Sequence, residues 1–186
     1  MAIYQYTLFF IPRLSILERY QNIPEQLFID FGAWEEHWQK ESLESPFEFE
    51  DALTIDWWEA RKVSFKTLEP VFNTFLKSNE APQLFTNNIV YGNFDTNDLC
   101  VGINENSYIE DITCRIDLRN VDKTFIENIY LLANKGDCML LDKKGNLFEP
   151  SFVAILKNIK KSNSFKFVLN PEDFLAKISS GEIKPE

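Results

Sequence analysis

An α+β fold, built on a mixed and mostly antiparallel sheet with several short helices, is what this sequence predicts. Strand-like and helix-like runs interleave along the chain. Strand-like runs in the second half are joined by tight polar turns, Asn104-Glu-Asn106-Ser and Asp142-Lys-Lys-Gly145-Asn146, which suit hairpins better than parallel crossovers. Residues 79–88 (NEAPQLFTNN) read as a linker or crossover, and the pattern changes character after them. The expected organisation is therefore an N-terminal strand with an acidic, tryptophan-rich helical lobe over 1–78 and an α+β lobe over 89–186, or a single domain made from both.

The elements follow in order. Residues 2–11 (AIYQYTLFFI) alternate imperfectly and are apolar on both faces, which places a strand inside the sheet and not at its edge. Pro12 should end it, and Ser15-Ile-Leu-Glu18 has the capping-box pattern for a helix to about Asn22, stopped by Pro24. Ala33 to Lys40 should be helical, with Trp34 and Trp38 one turn apart on one face. Pro46 and the Phe47-Glu-Phe49-Glu run look irregular. A short helix is expected over Ile55 to Lys62, and another from Pro70, in its first turn, to Lys77. Beyond the linker, Ile89 to Tyr91, Leu99 to Ile103 and Tyr108 to Arg119 read as strands. Asp122 can cap a helix with Phe125, Ile129, Leu132 and Ala133 inward and Gly136 at its C′ position. Cys138 to Leu141 should be a buried strand, turning into Leu147 to Glu149. Ser151 caps a helix ending among Lys157, Lys160 and Lys161, and Asn170-Pro171 opens a last one that stops near Gly181.

Composition narrows the function classes. The chain has 186 residues, 45% hydrophobic and 26% charged, which is ordinary for a globular protein and wrong for a disordered or membrane-spanning one. Six glycines among 186 residues leave little room for glycine-rich phosphate loops. The net charge of −10 repels nucleic acid and anionic membranes and suits a basic protein partner. It is concentrated: residues 30–59 hold ten acids against the single base Lys40, together with all four tryptophans and the only histidine. The start, Met-Ala-Ile-Tyr-Gln-Tyr, lacks a basic segment and a small-residue cleavage site, so a cytoplasmic protein is expected. Three cysteines without CxxC spacing, Cys100, Cys114 and Cys138, read as buried free thiols.

Neither a catalytic constellation nor a metal or cofactor site is expected. His37 and Glu41 lie four apart on a predicted helix, but zinc needs three or four ligands. Asp95-Thr-Asn97-Asp98 reads as a turn and not a calcium loop. GxSxG, a P-loop and GxGxxG are all missing, and His37 is the sole imidazole available as a base. Two binding surfaces remain. Trp34, Glu35, Trp38, Glu41, Trp57 and Trp58 would form an aromatic surface ringed by acids, fit to anchor and steer a basic partner, unless the tryptophans pin short helices to the core. Thr113, Arg115, Asp117 and Arg119 alternate onto one strand face, where two arginines around a carboxylate could clamp an anion, unless they form cross-strand salt bridges.

One resemblance bears on the choice. Arg115-Ile-Asp117-Leu-Arg119, the Phe125–Ala133 helix, Cys138-Met-Leu-Leu141, Pro150, Ser164-Phe-Lys-Phe-Val168, Asn170-Pro171 and Phe174-Leu175 form a pattern over about 99–178. It resembles the immunity proteins that accompany bacterial polymorphic toxins. The resemblance implies a non-catalytic, acidic, cytoplasmic protein that binds and blocks a toxin, and it carries over no functional residue. The expected function is thus a protein-binding module, possible rivals being a small-molecule or anion-binding protein, or an enzyme, that uses the Arg115/Asp117/Arg119 face.

Overall fold

The N-terminal strand sets the architecture. In a computed structural model, which describes residues 3–40, 46–78 and 80–183, β1 (Gln5–Pro12) lies inside a seven-stranded antiparallel sheet. The other strands are β2 (Gln83–Leu84), β3 (Asn88–Gly92), β4 (Asp98–Ile103), β5 (Ile109–Asp117), β6 (Cys138–Asp142) and β7 (Leu147–Phe148). The order is β2-β3-β4-β5-β1-β6-β7. β1 pairs with β5 on one side, Leu8 opposite Cys114, and with β6 on the other, Phe10 opposite Leu140. An interior place explains why β1 is apolar on both faces: neither face meets bulk water. Strands from both sides of the expected division at 79–88 hydrogen-bond in this one sheet.

The helices among the described residues are α1 (Arg13–Tyr20), α2 (Phe31–Trp38), α3 (Phe65–Phe72), α4 (Lys123–Lys135), α5 (Phe152–Ile159), α6 (Asn163–Leu169) and α7 (Pro171–Ser179). Register puts Tyr6, Leu8 and Phe10 of β1 on one face with Cys114 and Ile116 of β5, and beyond them Leu99 of β4 and Tyr91 of β3. The α3 ring of Phe72 packs on Tyr91 at 5.8 Å, and Phe75, just beyond α3, meets Phe125 of α4 edge-on at 5.1 Å. α3 and α4 therefore cover that face. Gln5, Thr7, Thr113, Arg115 and Asp98 point to the opposite face, over which residues 93–97 fold: the Gln5 amide donates to the carbonyls of Phe94 and Thr96.

Several expected boundaries move. α1 starts directly after Pro12, not at a Ser15 cap, because β1 runs straight into it and the Arg13 N–H is held by the Asp137 carbonyl at 2.9 Å. Ser15 instead donates its hydroxyl to the Trp57 carbonyl at 2.6 Å. The helix expected over 55–62 shrinks to a 3₁₀ turn, Glu59–Arg61. α3 begins at Phe65, five residues before Pro70, so Pro70 lies inside the helix, whose last turn tightens to 3₁₀ over Asn73–Phe75. Asp122 caps α4, accepting from Thr124 and Phe125 N–H groups, as its position predicts. Past α4, Asp137 and not Gly136 takes the left-handed backbone, at φ 49. No helix of the described residues is long and apolar enough to cross a membrane.

Candidate functional site

The aromatic segment is built around one carboxylate. Asp51 is buried, and it accepts hydrogen bonds from the Asp30, Leu53 and Thr54 backbone N–H groups and from the Trp34 indole N–H, the last at 2.7 Å. Asp30 in turn caps α2 by accepting from the Ala33 N–H. These bonds tie the stretch before α2 to the stretch after residue 50 and fix the pose of Trp34. Around Trp34 an aromatic cluster assembles: Phe47 at 5.0 Å and Phe49 at 5.2 Å edge-on, and Trp38 stacked at 5.8 Å with 24° between ring planes. His37 fills the middle, 4.8 Å from Phe47 and 5.6 Å from Trp38. It is buried, and its Nδ1 has no hydrogen-bond partner among the described residues.

The outer part of this cluster faces water. Trp38 is 61% exposed, Phe47 48% and Phe31, one turn ahead of Trp34 on α2, 47%. Glu35 and Glu36 stand exposed on the same helix and form no ion pair among the described residues. Glu48 and Glu50 do: Lys40 lies 3.2 Å from Glu48, and Arg19 binds Glu50. The surface thus keeps exposed carboxylates beside exposed aromatic area.

Of the residues expected on this surface, Trp34, Glu35 and Trp38 come together. Glu41 lies outside the described residues. Trp57 and Trp58 do not belong: they are buried at 6% and 2% exposure. The Trp57 indole donates to the Ala52 carbonyl at 2.8 Å and the Trp58 indole to the Phe10 carbonyl at 2.9 Å. The Trp58 bond pins the 51–61 segment onto β1 and the Trp57 bond closes that segment on itself, while their neighbours Asp56 and Glu59 face water. Phe31 and Phe47 were missed as surface residues. Their signal was present: Phe31 sits at helical spacing from Trp34 and Trp38, and Phe47-Glu-Phe49-Glu alternates aromatic with acid.

Thr113, Arg115 and Asp117 lie on β5 as spaced, whereas Arg119, expected on the same strand, lies in the turn beyond its end, and the charges are already matched. Arg115 donates through Nε to Asp98 at 2.8 Å, and Asp98 is 1% exposed. Arg119 forks onto Asp117 through Nε and Nη2, at 2.9 and 2.8 Å. Each guanidinium also lies over a ring, Arg115 at 5.2 Å from Phe94 and Arg119 at 3.6 Å from Tyr4. Thr113 is half-buried beside them. The hydrogen bond from Arg119 holds the Asp117 carboxyl below its usual range, whereas burial pushes Asp98 up and the Arg115 bond only partly opposes it. A clamp would need free forks, and both forks are closed on carboxylates.

Other chemistry finds little footing among the described residues. No group of three His, Cys, Asp or Glu side chains there is placed to hold a metal ion. Cys114 and Cys138 are buried, and Cys100 is half-buried, which departs from the expectation of three buried thiols. Burial pushes the Cys100 thiol up to about 11 and the other two further, so all stay protonated and poorly nucleophilic at neutral pH. A shallow cleft of about 130 Å³ lies between residues 74–77, the 92–97 loop and the start of α4, lined by Thr74, Asn93, Asn97, Thr124 and Asn128. It is smaller than the pockets that enclose drug-sized ligands. No protein-family model, curated protein or solved structure matches the chain.

Proposed function

We propose that this chain is a non-catalytic, cytoplasmic protein-binding module, an immunity-type inhibitor that receives a basic toxin domain on the surface formed by α2 and residues 46–50. The observation that carries the reading is the cluster of exposed aromatic rings, Trp38, Phe47 and Phe31, beside the exposed carboxylates Glu35 and Glu36, which form no ion pair among the described residues. Contiguous exposed aromatic area on an otherwise well-packed molecule marks an interaction site. Aromatic anchors with charged surroundings are where interfaces concentrate affinity. The sign of the charge selects a basic partner and repels nucleic acid. The rival reading, anion capture by the Arg115/Asp117/Arg119 face, asks for guanidinium forks that Asp98 and Asp117 already occupy.

The test is kinetic. Any basic toxin domain found encoded beside this gene is purified, and association with the chain is followed at several salt concentrations; the absence of such a domain counts against the reading. Wild type should associate faster at low salt. The double variant Glu35→Lys, Glu36→Lys should lose most of that salt dependence with the fold intact, while Trp38→Ala should chiefly speed dissociation, by a hot-spot amount of about 2 kcal/mol. A complex that forms equally well with wild type and with both variants would place the interface elsewhere.

A further inference from the structure

Resting on that reading, we propose that the partner's anchor is an arginine side chain, laid flat on the bare face of Trp38 with its guanidinium within reach of Glu35. Trp34 stacks on one side of the Trp38 ring at 5.8 Å, and His37 meets it edge-on at 5.6 Å. With 61% of the residue still exposed, the bare area lies on the side turned away from Trp34. Helical spacing sets Glu35 three residues before Trp38 and Trp34 four before it, so a carboxylate and a ring flank Trp38 on the same turn. A cation over this ring would thus meet both a π face and a negative charge.

The rest of the molecule shows what is missing here. Two aromatic rings elsewhere are covered by the chain's own guanidinium groups, Tyr4 by Arg119 at 3.6 Å and Phe94 by Arg115 at 5.2 Å, and each of those arginines also holds a carboxylate. Ring, guanidinium and carboxylate form a triad at both places. At Trp38 the ring and the carboxylate are present, and among the described residues no cation of this chain lies over the ring. Lys40, the one base in residues 30–59, is engaged with Glu48. Tryptophan is the strongest of the aromatic partners for a cation. Arginine fits better than lysine, because its planar group stacks on the ring while its edge donates to a carboxylate, and it is more weakly hydrated.

Hexa-arginine, hexa-lysine and hexa-citrulline peptides test this at low salt, read by the four tryptophan indole N–H resonances of the ¹⁵N-labelled protein. Hexa-arginine should move the Trp38 resonance and reach half-saturation at a concentration roughly two- to fivefold below hexa-lysine. Hexa-citrulline, which keeps the shape without the charge, should do neither. Trp38→Leu should erase the preference for arginine over lysine, with the buried Trp57 and Trp58 indole resonances unmoved as the control for folding; the Trp34 resonance shifts because it loses the ring stacked on it. Glu35→Gln should weaken both cationic peptides. Equal binding of the two cationic peptides, or binding that leaves the Trp38 resonance in place, overturns the arginine anchor and leaves the acidic surface standing. Binding of neither overturns both.

Discussion

Single residues in this protein are tuned by what closes on them, and the two carboxylates of the polar sheet face show it in opposite directions. Arg119 lowers the Asp117 pKa, whereas burial raises that of Asp98. A carboxyl whose folded pKa lies below its unfolded value, about 3.9, contributes stability above that pH and loses it as the pH falls through the folded value. Asp98 works the other way: its contribution is fullest below the unfolded value and fades as the pH rises through the folded one. Arg119→Gln removes the cause of the Asp117 shift only. The melting-temperature gap between wild type and Arg119→Gln should therefore be widest near neutral pH and close as the pH drops below the carboxylate range. A gap that stays constant from pH 7 to pH 3 would show that Arg119 acts through packing on Tyr4 and not through Asp117.

At the scale of elements, α1 carries local strain at its end. Its C-cap, Gln21, sits in the left-handed region at φ 62, with its N–H on the Leu17 carbonyl at 2.8 Å. A side chain there costs about 1 kcal/mol that glycine would avoid. Gln21→Gly should raise the urea midpoint correspondingly, and a lowered midpoint would mean that the exposed Gln21 side chain makes a contact worth more than the strain. How much was legible in the sequence also varied by element. Strands with clear hairpin turns and helices with side-chain caps, such as α4 behind Asp122 and α7 behind Asn170, announce themselves because the signal is local. Residues 46–62 hid their structure because it rests on distant bonds: Asp51 reaching Asp30 and Trp34, Trp58 reaching Phe10. No periodicity in that stretch tells which of two adjacent kinds of tryptophan, pinned or exposed, a given indole will be. Alternation along β5 put Arg115 on the polar face, but Arg119 falls in the turn past the end of the strand, and the Asp98 that pairs with Arg115 comes from the neighbouring strand β4, which alternation within one strand does not reveal.

The whole molecule is an acidic body with its negative charge unevenly spread, and the four tryptophans sample that field at different depths. Trp38 is 61% exposed, while Trp57 and Trp58 are 6% and 2% exposed. Measured relative to each ion's quenching of free N-acetyl-tryptophanamide, caesium should quench the accessible emission more efficiently than iodide at low salt, because the local field concentrates cations and repels anions. The difference should shrink once the Debye length falls to about 3 Å in 1 M salt. Trp38→Leu should remove most of the quenchable fraction for both ions. If iodide and caesium quench equally at low salt, the acids do not set the potential at Trp38.

The interior place of β1 also has a consequence in time. Its two sheet neighbours are strands that begin at Ile109 and at Cys138, so β1 leaves the ribosome with no sheet partner until the chain has been made through β5. At the usual 5–20 residues per second, that wait lasts roughly 5–20 s. Throughout it, Leu8, Phe9 and Phe10 stand on a strand with two open edges, a sequence suited to sticking to another nascent copy of itself. The pairings that end the wait span long stretches of chain, which slows folding further. During synthesis this apolar segment thus stays open to contact for longer than any hairpin strand of the sheet, and synthesis halted before β6 would leave the central strand unpaired on one side.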